Sequence, residues 1–227
     1  MASKKTAQHD NLQDIESALT RTEQFIEDHQ NKIFYVVGAI VLLVVGYLAI
    51  TRFYLQPREK EAQAQMFVAE QYFEKDSFNL ALNGDGNYLG FLDIMDDYGL
   101  TKQARLSRFY AGISYLRLGQ FKEAVDYLSR YKSKDIILGP VSQGALGDAY
   151  LEQGEQDKAL KQYLKSVSLS DNEMTTPIYL MKAGNLLESM NKPEEALKQY
   201  KLIKEKYAET SEGRVVDKYI ARVTAKK

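Results

Sequence analysis

Leu12, Ile15, Leu19, Thr22 and Ile26 recur at spacings of three and four, with charged residues between them. That period paints one apolar stripe on a helix. The pattern then changes. From Ile33 to Ile50 no residue is charged, so a helix here has no polar face. At about 1.5 Å per residue the run is about 27 Å long, close to the hydrocarbon thickness of a bilayer. Tyr35, Tyr47, Phe53 and Tyr54 stand near its ends, and Lys32 and Arg52 bracket it. Aromatic rings favour the interface, and long cationic side chains can reach headgroups. A membrane segment over 33–54 is predicted. Thirty-two residues precede the run, which is too many for a cleaved signal peptide and fits an uncleaved signal anchor.

Beyond Pro57 small residues recur in register. Ala111-Gly112-x2-Tyr115, Leu146-Gly147-x2-Tyr150 and Ala183-Gly184-x2-Leu187 are each followed by an alanine motif, at Ala124-x3-Leu128, Ala159-x3-Tyr163 and Ala196-x3-Tyr200. The pentapeptide ALKQY occurs in the last two. This is the helix–turn–helix pattern of a tetratricopeptide-like (TPR-like) repeat. The glycine and the alanine let helix A and helix B of one pair approach closely. Tyr115, Tyr150, Tyr163 and Tyr200 are expected to fill gaps between neighbouring pairs. One pair cannot bury its apolar stripe alone, so pairs stack. Gly119 and Gly154 mark the A-to-B turns. Pro140, Pro177 and Pro193 mark helix starts. Ala69, Tyr72 and Ala81 suggest a degenerate first pair, interrupted by an irregular loop in "LNGDGNYLGF" and followed by a helix near residues 88–98. Val215, Val216, Tyr219, Ile220 and Val223 define a terminal capping helix. The expected fold is all-α: a transmembrane helix, then a TPR-like α-solenoid of three to four pairs over 55–227. Residues 1–32 form a short amphipathic arm, which pairs with a partner helix or lies on the membrane. Pro57 is expected to separate the membrane helix from the solenoid.

Composition narrows the function. Thirty basic residues against 31 acidic ones leave no net pull toward nucleic acid. The chain has no cysteine, and its two histidines, His9 and His29, precede the apolar run. Thiol chemistry, cysteine-ligated zinc and a histidine base in the solenoid are excluded. G-x-S-x-G and P-loop patterns are absent. Asp93, Asp96 and Asp97 read as a solvated helix face in preference to a metal site. No enzyme activity, cofactor or small-molecule substrate is expected. The remaining surface is the inner groove, where helix A side chains point: Phe109, Ile113 and Leu116, then Asp148 and Leu151, then Met181, Asn185 and Glu188. It should be apolar near the membrane and more polar toward the C-terminus. A clamp for a chaperone's terminal carboxylate is disfavoured, because of the Lys and Asn positions it uses only Asn185 matches.

An anchor followed by such repeats resembles the ancillary, YfgM-like subunit of the bacterial Sec translocon, over about residues 12–227. The resemblance implies an inner-membrane protein with a cytoplasmic N-terminus and a periplasmic solenoid. It implies translocon channel subunits, a membrane-anchored prolyl isomerase and nascent exported chains as partners. Charge alone does not orient the chain: Lys4, Lys5, Arg21 and Lys32 on one side nearly balance Arg52, Arg58 and Lys60 on the other. The competing reading is a structural scaffold of another envelope complex, with no affinity for unfolded chains.

Overall fold

The computed structural model describes residues 29–225. The expected amphipathic stripe over 12–26 lies outside the described residues. The chain divides into two units, Met1–Pro57 and Arg58–Lys227.

In the first unit, residues 29–49 form helix α1, followed by a π-helical stretch Ile50–Leu55. Its apolar side chains are exposed on every side: Phe34, Val37, Val41, Val45 and Leu48 are each more than half accessible. The helix His29–Glu74 is long and apolar enough to cross a membrane, and none of its apolar window is buried. A core helix of a soluble domain would bury that window. Pro57 closes the first unit, as expected, but helical backbone runs on through it. A proline removes an amide and crowds the carbonyl four residues back. The preceding π-stretch, where the Gln56 amide reaches back to Thr51 O, shifts the local register so that helix continues through it.

The second unit holds α2 (Gln56–Glu74, from Arg58 on), α3 (Phe78–Asn83), α4 (Phe91–Asp97), α5 (Lys102–Arg117), α6 (Phe121–Arg130), α7 (Leu138–Glu152), α8 (Gln156–Leu169), α9 (Thr176–Ser189), α10 (Pro193–Lys206) and α11 (Ser211–Ala225). The described residues form no strand. Helices α5 and α6, α7 and α8, and α9 and α10 are antiparallel pairs stacked in series, with α11 closing the far end. The same turn joins each pair. Gly119 (φ 74°) and Gly154 (φ 77°) take the left-handed conformation, and Asn191 (φ 58°) does so in the third pair. Asparagine is among the few non-glycine residues that tolerate it. In each turn this residue's amide bonds three residues back and the next amide five back. Asp76 (φ 55°), between α2 and α3, makes the same pattern through Phe73 O and Tyr72 O. The degenerate first pair thus shares the turn of the regular ones, and its second helix stops after six residues.

What stops it is the glycine loop. Gly84 is left-handed, and a Cβ on Gly90 would lie 2.2 Å from Leu82 O. The Asp85 carboxylate accepts the Asn87 and Tyr88 amides and the Tyr72 hydroxyl. Those amides hold its pKa below the ordinary value. The chain then re-enters the core through α4, burying Phe91 and Ile94 with Ala62, Met66 and Ala69 of α2.

The glycine of each helix A seats a side chain of its own helix B. A Cβ at Gly147 would lie 2.6 Å from the Tyr163 ring, and one at Gly184 2.3 Å from the Tyr200 ring; Gly112 faces Leu128 at 2.6 Å. Tyr163 and Tyr200 therefore fill the inside of their own pairs, and they also meet the next element, as expected, through Tyr179 of α9 and Tyr219 of α11. A ring needs a residue without a side chain opposite it, and that residue lies within the pair. Tyr115 likewise stacks on Tyr127 of α6. Between pairs the corresponding seat is Gly144, where a Cβ would lie 1.8 Å from the Tyr179 ring of α9.

Candidate functional site

The inner face of the solenoid is built from the A helices, because each B helix packs outside its partner. On that face lies a cavity of about 890 Å³ lined by Phe109, Ile113, Leu116, Asp148, Leu151 and Tyr179 among others. Five of the eight groove residues expected from the sequence thus come together. Phe109 is buried and forms the floor, packed on Tyr131. Leu151 is partly exposed on the rim. Asn185 lines a smaller adjoining cavity with Leu151 and Lys182. Met181 and Glu188 differ from expectation. Met181 packs against the C-terminal core of α9, α10 and α11. Glu188 accepts hydrogen bonds from Arg222 of α11 and from the Tyr200 hydroxyl. The capping helix occupies the place a next repeat would take, so the last A helix has no open face there.

The charged rim was not legible as a site. Lys182 Nζ bonds both carboxylate oxygens of Asp148 at 2.7 Å. Asp148 also accepts the Tyr163 hydroxyl at 2.7 Å. Lys182 lies 5.8 and 5.9 Å from the Tyr163 and Tyr179 ring centres, within cation–π range. The same trio recurs one repeat on, as Tyr200, Glu188 and Arg222, with Asn185 as a further acceptor at 3.0 Å. Both basic residues stand 34 residues after their acid. That interval is close to the 35- and 37-residue spacings of the repeat glycines, which is the signal that could have found them. In the first pair Ile113 and Leu128 replace Asp148 and Tyr163, so this end of the groove has no such trio.

Burial is the main reason these phenols resist ionisation. It pushes Tyr179 up to about 12, with the Asp148 charge adding to it. Tyr163 and Tyr200 are raised still further, by burial and then by Asp148 and Glu188. In the unfolded chain the same groups ionise near 10.0. Above that pH the folded state binds more protons, so stability falls as pH rises from about 10 toward about 12. The urea midpoint should drop across that interval, and Tyr163→Phe should flatten part of the drop. A pH-independent midpoint would contradict the packing.

The arrangement can hold a chain segment. Among the described residues no group of three His, Asp or Glu side chains is placed to hold a metal ion. The fold defines a class: this is a TPR-like α-solenoid joined to one apolar helix. Two stretches, residues 107–135 and 142–173, match the tetratricopeptide repeat. They correspond to the first two regular pairs. No curated protein matches the chain in sequence. Among solved structures, the chain is similar to a kinesin-light-chain-type protein of Podosopora anserina with nearly identical TPR-like repeats. The likeness has a TM-score of 0.56 at 15% identity and covers 74% of this chain and 87% of that one. A single-substitution variant of it matches with the same score, covering 86% of that chain. At that identity the likeness establishes the fold alone. Repeats of this kind indicate a protein–protein interaction adaptor.

Proposed function

We propose that the chain is a membrane-anchored adaptor that holds apolar segments of other proteins in its groove. It acts at the bacterial Sec translocon, with the solenoid on the periplasmic side of the inner membrane. Its partners there are channel subunits, a membrane-anchored prolyl isomerase and emerging exported chains. The observation that carries the adaptor reading is the cavity lined by Ile113, Leu116, Leu151 and Tyr179, an apolar floor beside a charged rim. Such a surface suits an unfolded or helical segment with few charges. The helix over residues 33–54, exposed on all sides, supports the anchor. The translocon placement rests on the resemblance of the whole architecture.

Photocrosslinking in cells from Leu116 and Leu151, each replaced in turn by a photoreactive residue, tests both steps. Translocon subunits and exported chains among the products would support the whole reading. Products confined to one stoichiometric envelope complex would replace it with a scaffold. In the purified full chain, Leu116→Glu with Leu151→Glu should weaken binding of an unfolded client by about tenfold or more, since burying one leucine is worth about 1.5–3 kcal/mol. Melting should barely change, because both side chains are partly exposed. Unaltered client binding would sink the groove assignment.

A further inference from the structure

We propose that the α4–α5 and α6–α7 connections form a docking surface for anionic phospholipid headgroups; this rests on reading 33–54 as a membrane segment. A second cavity, of about 560 Å³, is lined by Lys102, Arg105, Lys132 and Lys134 together with Leu106, Tyr131 and Ser133. Among the described residues none of these four cations is in an ion pair. Two neighbouring carboxylates are held by backbone amides and not by these cations. Glu59 accepts the Lys102 amide, and Asp135 accepts the amides of Ile137 and Leu138. Two large apolar side chains flank the cavity: Leu100 is 80% exposed and Ile136 65%. Each stands two residues from a lining lysine. Isolated loop-tip hydrophobes beside unpaired cations match the two layers of a membrane surface, acyl boundary and anionic headgroup.

Position favours lipid over an acidic protein. Helix α5 runs alongside α2 in the same direction. Glu59 meets Lys102, Met66 meets Ser107 and the Phe73 ring meets Tyr110. The start of α5 is thus at the end where the chain enters the solenoid. Helix α6 returns, so residues 131–137 lie at that end too. Glu59 is only five residues past Tyr54, so even fully extended chain separates them by at most about 18 Å. The tether keeps the basic surface within reach of headgroups. Later repeats carry acid on the corresponding connections: Glu173 and Glu209 line one shallow cavity there, with Glu212 and Arg214 from the start of α11. An anionic surface attracts the first repeats and repels the last, which gives the contact one orientation.

The test uses the full chain in nanodiscs of phosphatidylcholine, with or without about a third phosphatidylglycerol. Leu100, Ile136 and, as an anchor control, Val45 are each replaced by benzoylphenylalanine and irradiated, and lipid adducts are measured by mass spectrometry. Lipid adducts are expected at 100 and 136 in the phosphatidylglycerol discs. They should fall about tenfold in phosphatidylcholine alone, in high salt, or with Lys132→Glu and Lys134→Glu together. Equal adducts in both lipids, or none at 100 and 136 while position 45 labels lipid, overturn the proposal. Labelling of a protein instead of lipid from 100 and 136 in cells also overturns it. No lipid adduct at position 45 overturns it through failure of the anchor, which is a separate result.

Discussion

Gly147→Leu is expected to lower the unfolding free energy by about 3 kcal/mol or more, the upper range for overpacking a core. For a solenoid of this size that is a fall of roughly 6–12 °C in melting temperature. The reason is local. A Cβ at 147 would sit 2.6 Å from a carbon of the Tyr163 ring and 3.2 Å from Ala159 O of the facing helix. Tyr163 cannot swing away cheaply. Its ring is buried, its hydroxyl is held by Asp148, and Tyr179 of the next pair stacks against it at 6.5 Å. A leucine therefore forces α7 and α8 apart, and the two neighbouring pairs lose their footing. Thermal melts followed by circular dichroism read the result. An unchanged midpoint would mean that Tyr163 does not pack on position 147.

Asp148→Ala should destabilise more than Lys182→Met, although the two residues form one ion pair. Removing the carboxylate leaves the buried Tyr163 hydroxyl without its acceptor. That costs about 1–3 kcal/mol. It also leaves Lys182 beside two aromatic rings with no counter-charge. Removing the lysine leaves Asp148 with the Tyr163 hydroxyl and with water. The Lys182 side chain is 40% exposed and Asp148 31%, so the ion pair itself contributes little, as expected for a solvent-screened pair. A double-mutant cycle on urea unfolding separates the two parts. Equal losses from both substitutions would show that the ion pair, and not the tyrosine's hydrogen bond, dominates this junction.

Much of the architecture was legible in the residues alone. Glycine at 112, 147 and 184 and alanine at 124, 159 and 196 are contacts between two helices close in sequence. Both partners fall at constant offsets, so the spacing displays them. The turns were equally local: Gly119 and Gly154 are needed because a left-handed residue ends each helix A. The apolar run was self-evident, since eighteen uncharged residues leave no polar face on a helix. The inner face followed as well, because a residue's side of helix A is set by its phase relative to the glycine. Phe109, Ile113, Leu116, Asp148 and Leu151 were placed on the groove by that rule alone.

Other features depended on tertiary contacts. Met181 and Glu188 have the right phase for the groove but are claimed by α11, whose position depends on how the last pair ends. Lys182 and Arg222 join acids on a preceding repeat, so no local pattern around either residue announces the pairing. Gly144 looks like any small residue until Tyr179 is seated on it from the next pair. Pro57 carries a strong local signal to stop a helix, and a π-helical stretch just before it absorbs the crowding. The basic surface joins α5 to a loop some thirty residues later, and only the return of α6 brings Lys102 and Lys132 together. Period and phase are properties of one helix and are written along the chain. Which helix packs next to it, and which side chains that neighbour consumes, is settled by burial summed over the stacked pairs.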